Sequence, residues 1–453
     1  MANTITTTYP FTGEVLKKYT LFTDKEIDTS LHKSEEVFLK WKKQSLQNRT
    51  RLLQKLADVL NQQKKEYANL ITIEMGKPYR ESVAEIEKCI RLIDFYEKNA
   101  EQFLADELIE TEAKESFISY DPLGCILAVM PWNYPFWQVM RFAIPTITAG
   151  NTAILKHANN VTGCALAIQD LFEASGYPVG CFQTLLASHK QIEKIIENDI
   201  VKAVSLTGSE KAGRTIAEIA GKNLKKTVLE LGGNNACIVW EDADLDKYMD
   251  TIVKARMQNA GQSCIAAKRF IVVDEIYDNF LEKFKEALKN IKFGAPLDPK
   301  TELGTLARID LVEEVQRQID ESIEKGAIVL VGNRRNNTFF EPTILINVKS
   351  GMPAFDEEIF GPVAAIIRAK NRDHAFKLAS QSTFGLGIML FTQNVEEAKK
   401  QIDHVEDGTF FINEMIKSDP RLPFGGTKAS GYGRELSREG ILEFVNKKTV
   451  YIK

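Results

Sequence analysis

At 453 residues, with 44% hydrophobic and 26% charged side chains, the chain has the make-up of an enzyme-sized globular protein of two or three domains. A net charge of −4 argues against nucleic acid or an anionic membrane as the main partner, since both select a basic face. No apolar run approaches the roughly 18 residues of a membrane span. The N-terminus shows no secretory pattern, and six scattered cysteines without a C-x-x-C pair indicate reduced thiols, so the expected location is cytoplasmic. Five histidines, none at ligand spacing with a cysteine, give no reason to expect a metal.

Along residues 25–104 apolar side chains recur at steps of three and four, which predicts long amphipathic helices. "GKPYRE" interrupts them with Gly76 and Pro78. "SFISYDPLGCILAVMPW" then alternates and runs apolar, predicting strands. Next, short apolar runs alternate with helical segments. "TAILK" (152–156) precedes "GCALAIQDLFEASG", "KAVSLTG" (202–208) precedes "SEKAGRTIAEIAGKNL", and "TVLELGG" (227–233) closes the series. The same texture returns after Cys264, from "RFIVVD" to "GTFFIN". The expected fold is therefore α/β, with two units of parallel sheet and covering helices on either side of residue 230. The charged, alternating tail "EFVNKKTVYIK" predicts a terminal strand suited to pairing with another subunit.

Six stretches carry possible chemistry. In "NAGQSCIAAKRF" (259–270), Cys264 follows a polar turn with no second thiol near it. Thr207-Gly208-Ser209 ends a strand run before a helix containing Gly213. Such a turn suits a phosphate, although strand-end glycines are more often plain turn chemistry. Lys156 ends another strand run and points toward a ligand crevice or, more simply, into solvent. Glu230, before Gly232-Gly233, has room to act as a base or is an ordinary loop glutamate. Asn133, stiffened by Pro131 and Pro135, is an oxyanion donor or an Asx turn in an aromatic cluster. Glu358 and Phe360 precede a Gly-Pro turn, where they hold a ribose diol and line a cleft or simply shape the turn.

As an ordered set these motifs, with "PFGGTKASGYGRE" near the end, resemble the aldehyde dehydrogenase superfamily over essentially the whole chain. The compact length, "LKHANN", "CIAAKRF" and "SDPRLPFGG" look most like the bacterial NAD(P)-dependent succinate-semialdehyde dehydrogenases. The resemblance implies a Rossmann-type dinucleotide domain (1–106 and 124–229), a catalytic domain (230–430) and a β oligomerisation element (107–123 and 431–453). It implies a homodimer or homotetramer. Cys264 is then the nucleophile, Glu230 the general base, and Asn133 the oxyanion donor together with the Cys264 N–H. The cofactor would lie on Trp132, Lys156, Asn159, Thr207, Gly208, Ser209, Gly213, Leu231, Glu358 and Phe360. Arg141 matches an arginine of the succinate-semialdehyde group, and Ser418 and Arg421 lie where that group gathers polar contacts. A distal carboxylate suits an arginine, though an interhelix ion pair explains Arg141 as well. The implied reaction runs through a thiohemiacetal and a thioester on Cys264, with hydride passing to the nicotinamide.

Two departures refine this. Relatives that prefer NAD often carry Glu three residues after the lysine. Asn159 stands there, neutral and small, so NADP is the expected cofactor and NAD the second choice. Ala266 stands where some succinate-semialdehyde dehydrogenases carry a second cysteine, so no disulfide switch is expected. Other readings are a different small aldehyde, such as glutarate semialdehyde, a thiol hydrolase pairing Cys264 with His157 or His189, and a silent homologue.

Overall fold

The computed structural model describes residues 4–453. A hairpin of β1 (Thr4–Thr8) and β2 (Val15–Thr20) leads into four helices, α1 (Asp24–Trp41), α2 (Leu46–Gln62), α3 (Lys64–Met75) and α4 (Tyr79–Leu104). Thr23 opens α1 with a capping box, its side chain and that of Glu26 each accepting from the other's backbone N–H. Gly76 ends α3 at a left-handed φ of 88°, and Pro78 precedes α4, so the break in periodicity falls where glycine and proline place it.

The chain then lays down β3 (Glu107–Leu108), β4 (Glu115–Pro122), β5 (Cys125–Met130) and α5 (Trp137–Thr148). It continues through β6 (Thr152–His157), α6 (Thr162–Ala174), β7 (Phe182–Thr184), α7 (His189–Glu197), β8 (Val201–Thr207), α8 (Glu210–Lys222) and β9 (Lys226–Glu230). Strands β5 to β9 form a parallel sheet in the spatial order β7-β6-β5-β8-β9. From β5 the chain builds outward to β7, then crosses back to β8. That reversal opens a crevice beyond the carboxyl ends of β5 and β8, where open α/β sheets bind ligands.

The second unit holds β10 (Asn235–Val239), β11 (Ala267–Val273), β12 (Ile328–Val331), β13 (Thr343–Ile346), β14 (Val363–Ala369), β15 (Ile388–Phe391) and β16 (Phe410–Ile412). Its order is β12-β13-β14-β11-β10-β15-β16, parallel except at β12. Strands β10, β11 and β15 are buried along their whole length, which is why they read as continuous apolar runs rather than alternating ones.

The C-terminal β17 (Val445–Ile452) pairs antiparallel with β4 of its own chain, and β3 completes a three-stranded sheet. Residues 431–444 depart from the expected boundary. Gly431–Tyr432 joins the first sheet against β9, and Leu436, Ile441 and Phe444 fill the first unit's core. Among the described residues no helix is long and apolar enough to cross a membrane.

Candidate active site

Cys264 is partly buried, whereas the other five cysteines are buried. Its loop is held in a strained form. Asn259 and Ala260 take positive φ angles of 55° and 51°, a cost that surrounding contacts must offset. Gln262 supplies several of those contacts. Its side-chain oxygen accepts from the Ala307 N–H at 2.9 Å, and its amide donates to the carbonyls of Asn259 and Thr305. Asn235 and Lys268 both donate to the Cys264 carbonyl, at 2.6 and 2.7 Å. A Cβ on Gly233 would lie 2.7 Å from that same carbonyl oxygen. The E-L-G-G segment therefore needs glycine because the nucleophile's backbone rests against it. Burial pushes the Cys264 thiol up to about 11, opposed by the cations Lys268 and Arg141.

Cys264 lines two cavities. The larger, about 730 Å³, runs over the carboxyl ends of β5, β6 and β8. Trp132, Lys156, Asn159, Thr207, Gly208, Ser209, Leu231, Glu358 and Phe360 line it as expected, and so does Asn133. Lys156 Nζ donates to the side-chain oxygen of Asn159 at 2.9 Å, and burial lowers its pKa to about 8. Ser209 caps α8, placing that helix's N-terminus at the crevice. Glu358 accepts from the Gly233 N–H and from Lys268, each at 3.0 Å. The buried Thr207 hydroxyl and Asn160 amide nitrogen have no partner within the protein. Orphaned donors beside a helix N-terminus and a buried lysine fit a phosphorylated dinucleotide.

Gly213 does not line this cavity. A Cβ there would meet Leu231 at 2.6 Å, so its role is close packing of α8 on the sheet rather than contact with phosphate. Asn133 donates one amide hydrogen to the Gln262 carbonyl at 3.1 Å, which fixes the side chain against the nucleophile loop.

The smaller cavity, about 360 Å³, lies between α4, α5 and residues 415–424 and ends at Cys264. Arg141 and Ser418 are on its wall. Arg421 is not: it is exposed on the surface, paired with Asp419 two residues away at 2.7 Å. Arg141 is buried, forms an ion pair with Glu435, and lies 4.6 Å over the Phe424 ring. Glu230 lines neither cavity. Its carboxylate faces Gly425, near Arg141 and Glu435. Burial holds it well above the usual carboxylate range, Arg141 pulls it down, and Glu435 pushes it up.

The model of the Aldehyde dehydrogenase family matches residues 1–450. The chain belongs to the aldehyde dehydrogenase family. It is 46% identical over 451 residues to a probable succinate-semialdehyde dehydrogenase (NADP+) of Synechocystis sp., covering 99% of each chain. It is 44% identical over 454 residues to succinate-semialdehyde dehydrogenase (NADP+) 1 of Mycobacterium bovis, again covering 99% of each. A crystal structure of succinic semialdehyde dehydrogenase from Streptococcus pyogenes in complex with NADP+ superimposes with a TM-score of 0.97 at 38% identity, with 99% of both chains covered.

In this aldehyde dehydrogenase no hydrogen bond joins His157 or His189 to Cys264 among the described residues. His157 is buried, its Nε2 against the Pro135 carbonyl and its Nδ1 accepting from the Ala158 N–H; burial lowers its pKa to about 4. His189 lies on the wall of the larger cavity, on α7. Three residues escape a motif reading. Asn160 follows Asn159 without a distinctive pattern. Lys268 looks like the start of a strand yet ties the Ser263 and Cys264 carbonyls to Glu358. Lys88 sits in the middle of a helix whose periodicity marks it only as polar.

Proposed function

We propose that this aldehyde dehydrogenase oxidises succinate semialdehyde to succinate with NADP+. One observation carries the reading: Cys264 stands where a dinucleotide-shaped crevice meets a small cavity walled by Lys88 and Arg141. An aldehyde bearing a distal anion fits that second cavity, and the named activities of the relatives support it.

The Cys264 thiol gives up its proton to solvent, the thiolate sulfur adds to the aldehyde carbon as the carbonyl π bond opens, and the resulting oxyanion takes hydrogen bonds from the Asn133 amide and the Cys264 N–H. When bound, the nicotinamide supplies the hydride acceptor. Lys156, Asn159, Thr207 and Ser209 would hold the adenosine and phosphate end, and Glu358 the ribose nearer Cys264. Glu230 then turns from its cluster toward Cys264 and takes a proton from water. Hydroxide attacks the thioester carbon, succinate forms, and the Cys264 thiolate leaves. Arg141, held by Glu435, adds positive potential to the acyl pocket. The free edge of β17 offers a surface for a homodimer or homotetramer in the cytoplasm.

The test is initial rates with succinate semialdehyde, glutarate semialdehyde and butanal, each with NADP+ and NAD+. Succinate semialdehyde with NADP+ is expected to give the highest kcat/KM. A preference for butanal sinks the carboxylate reading, and a preference for NAD+ sinks the cofactor reading. Asn159→Glu places a carboxylate beside Lys156 and the 2′-phosphate position. It is expected to cut kcat/KM for NADP+ on the order of 100-fold while sparing NAD+; an unchanged NADP+/NAD+ ratio refutes that role.

A further inference from the structure

We infer that Glu85 is a positioning residue for the oxyanion donor: reaching from α4, it fixes the loop that aims Asn133. The inference rests on the role given to Asn133 above. The Asn133 side chain has little to hold it directly. One amide hydrogen goes to the Gln262 carbonyl at 3.1 Å, and the side-chain oxygen is buried with no partner within the protein. The direction of the remaining amide N–H therefore follows the backbone of residues 131–137.

The carbonyls and the N–H groups of that backbone are held by different means. Asn259 Nδ2 donates to the Asn133 carbonyl at 2.9 Å, and His157 Nε2 meets the Pro135 carbonyl at 3.0 Å. Helix α5 begins at Trp137, and no side chain at its own N-terminus caps it. Glu85 does so from α4. Its Oε1 accepts from the Phe136 N–H at 2.8 Å and from the Trp137 N–H at 3.0 Å. A carboxylate at that point also faces the positive end of α5.

The other carboxylate oxygen, Oε2, takes Lys77 Nζ at 2.5 Å, and neither side chain is more than 1% exposed. The Lys77 ammonium lies 3.9 Å from the centre of the Tyr134 ring. The pair thus grips the loop on both sides of Pro135, Tyr134 through its ring and Phe136 and Trp137 through their backbone. A buried ion pair whose other bonding positions are filled keeps one geometry, because any displacement leaves a charge without its partner. Glu85 borders the smaller cavity, but both of its oxygens are committed, so it acts through Asn133 rather than on the substrate.

A double-mutant cycle tests this. With NADP+ saturating and enzyme in excess over succinate semialdehyde, the rate of NADPH formation reads adduct formation and hydride transfer without hydrolysis. Wild type, N133A, E85Q, E85D and the two double variants with N133A are compared. N133A is expected to slow that rate roughly 100-fold. E85Q, which turns an amide NH₂ toward the Lys77 ammonium, is expected to slow it about 30-fold. E85D keeps the buried charge, and with it the fold, but draws back from the two N–H groups; about a tenfold loss is expected. In the N133A background either change is expected to cost at most about threefold, since the donor it aims is gone. Equal losses in both backgrounds, which a purely structural role would give, overturn the Glu85 assignment alone, as does an unchanged rate in E85Q and E85D. An N133A rate within about threefold of wild type overturns the oxyanion reading and this inference together.

Discussion

Cys264→Ala is expected to reduce NADPH formation by about 10⁴-fold or more, with the fold and NADP+ binding intact. The side chain touches no structural network: the loop is held through the Gln262 side chain and through the Cys264 carbonyl, which alanine retains. Loss of the sulfur removes the only group at the junction of the two cavities able to form a covalent adduct with the aldehyde. Stopped-flow absorbance of NADPH, with dye binding or calorimetry to verify cofactor affinity, checks this. A variant within tenfold of wild type contradicts the mechanism.

Glu230→Gln separates the two half-reactions. Adduct formation and hydride transfer need Cys264, Asn133 and the cofactor, whereas hydrolysis needs a base. The variant is therefore expected to release a burst of about one NADPH per active site and then turn over 10²- to 10⁴-fold more slowly than wild type. Its pH profile should also lose the limb that wild type shows as Glu230 gives up its proton. That group's pKa is raised, so the base form fills in as pH rises, and wild-type hydrolysis is expected to accelerate in that direction. A variant with no burst, or with an unchanged steady state, removes Glu230 from the water-activating role.

Much of the site was legible because its parts are local. Strand-end turns such as Thr207-Gly208-Ser209 put backbone and small side chains at a crevice mouth whatever the rest of the chain does. The nine expected cofactor residues that line the larger cavity all lie at strand ends or in the turns and loops beside them. What stayed hidden depends on distance through the fold. Helix α5 shows no amphipathic stripe because every one of its residues is buried. Lys88 finds its hydrogen-bond partner in Ser418, which lies 330 residues away in sequence. Gly213 looks like a phosphate glycine until Leu231 is seen occupying the space its Cβ would need. Arg421 looks like a cleft cation, but its partner Asp419 is a near neighbour in sequence and holds it on the surface. Arg141 reads from sequence as either a carboxylate receptor or an ion-pair partner, and Glu435, from the far end of the chain, is found against it while its Nη2 has no partner within the protein. Charges in particular cannot be assigned from a linear sequence, because their role depends on which of them are already paired.

The most direct measurement mixes Glu230→Gln with NADP+ and succinate semialdehyde, quenches in acid within the burst, and reads the Cys264 peptide by mass spectrometry. The account predicts a succinyl adduct on Cys264, formed in step with NADPH and absent when NADP+ is left out. An unmodified Cys264 alongside a full NADPH burst, or a succinyl thioester that forms without NADP+, would contradict it.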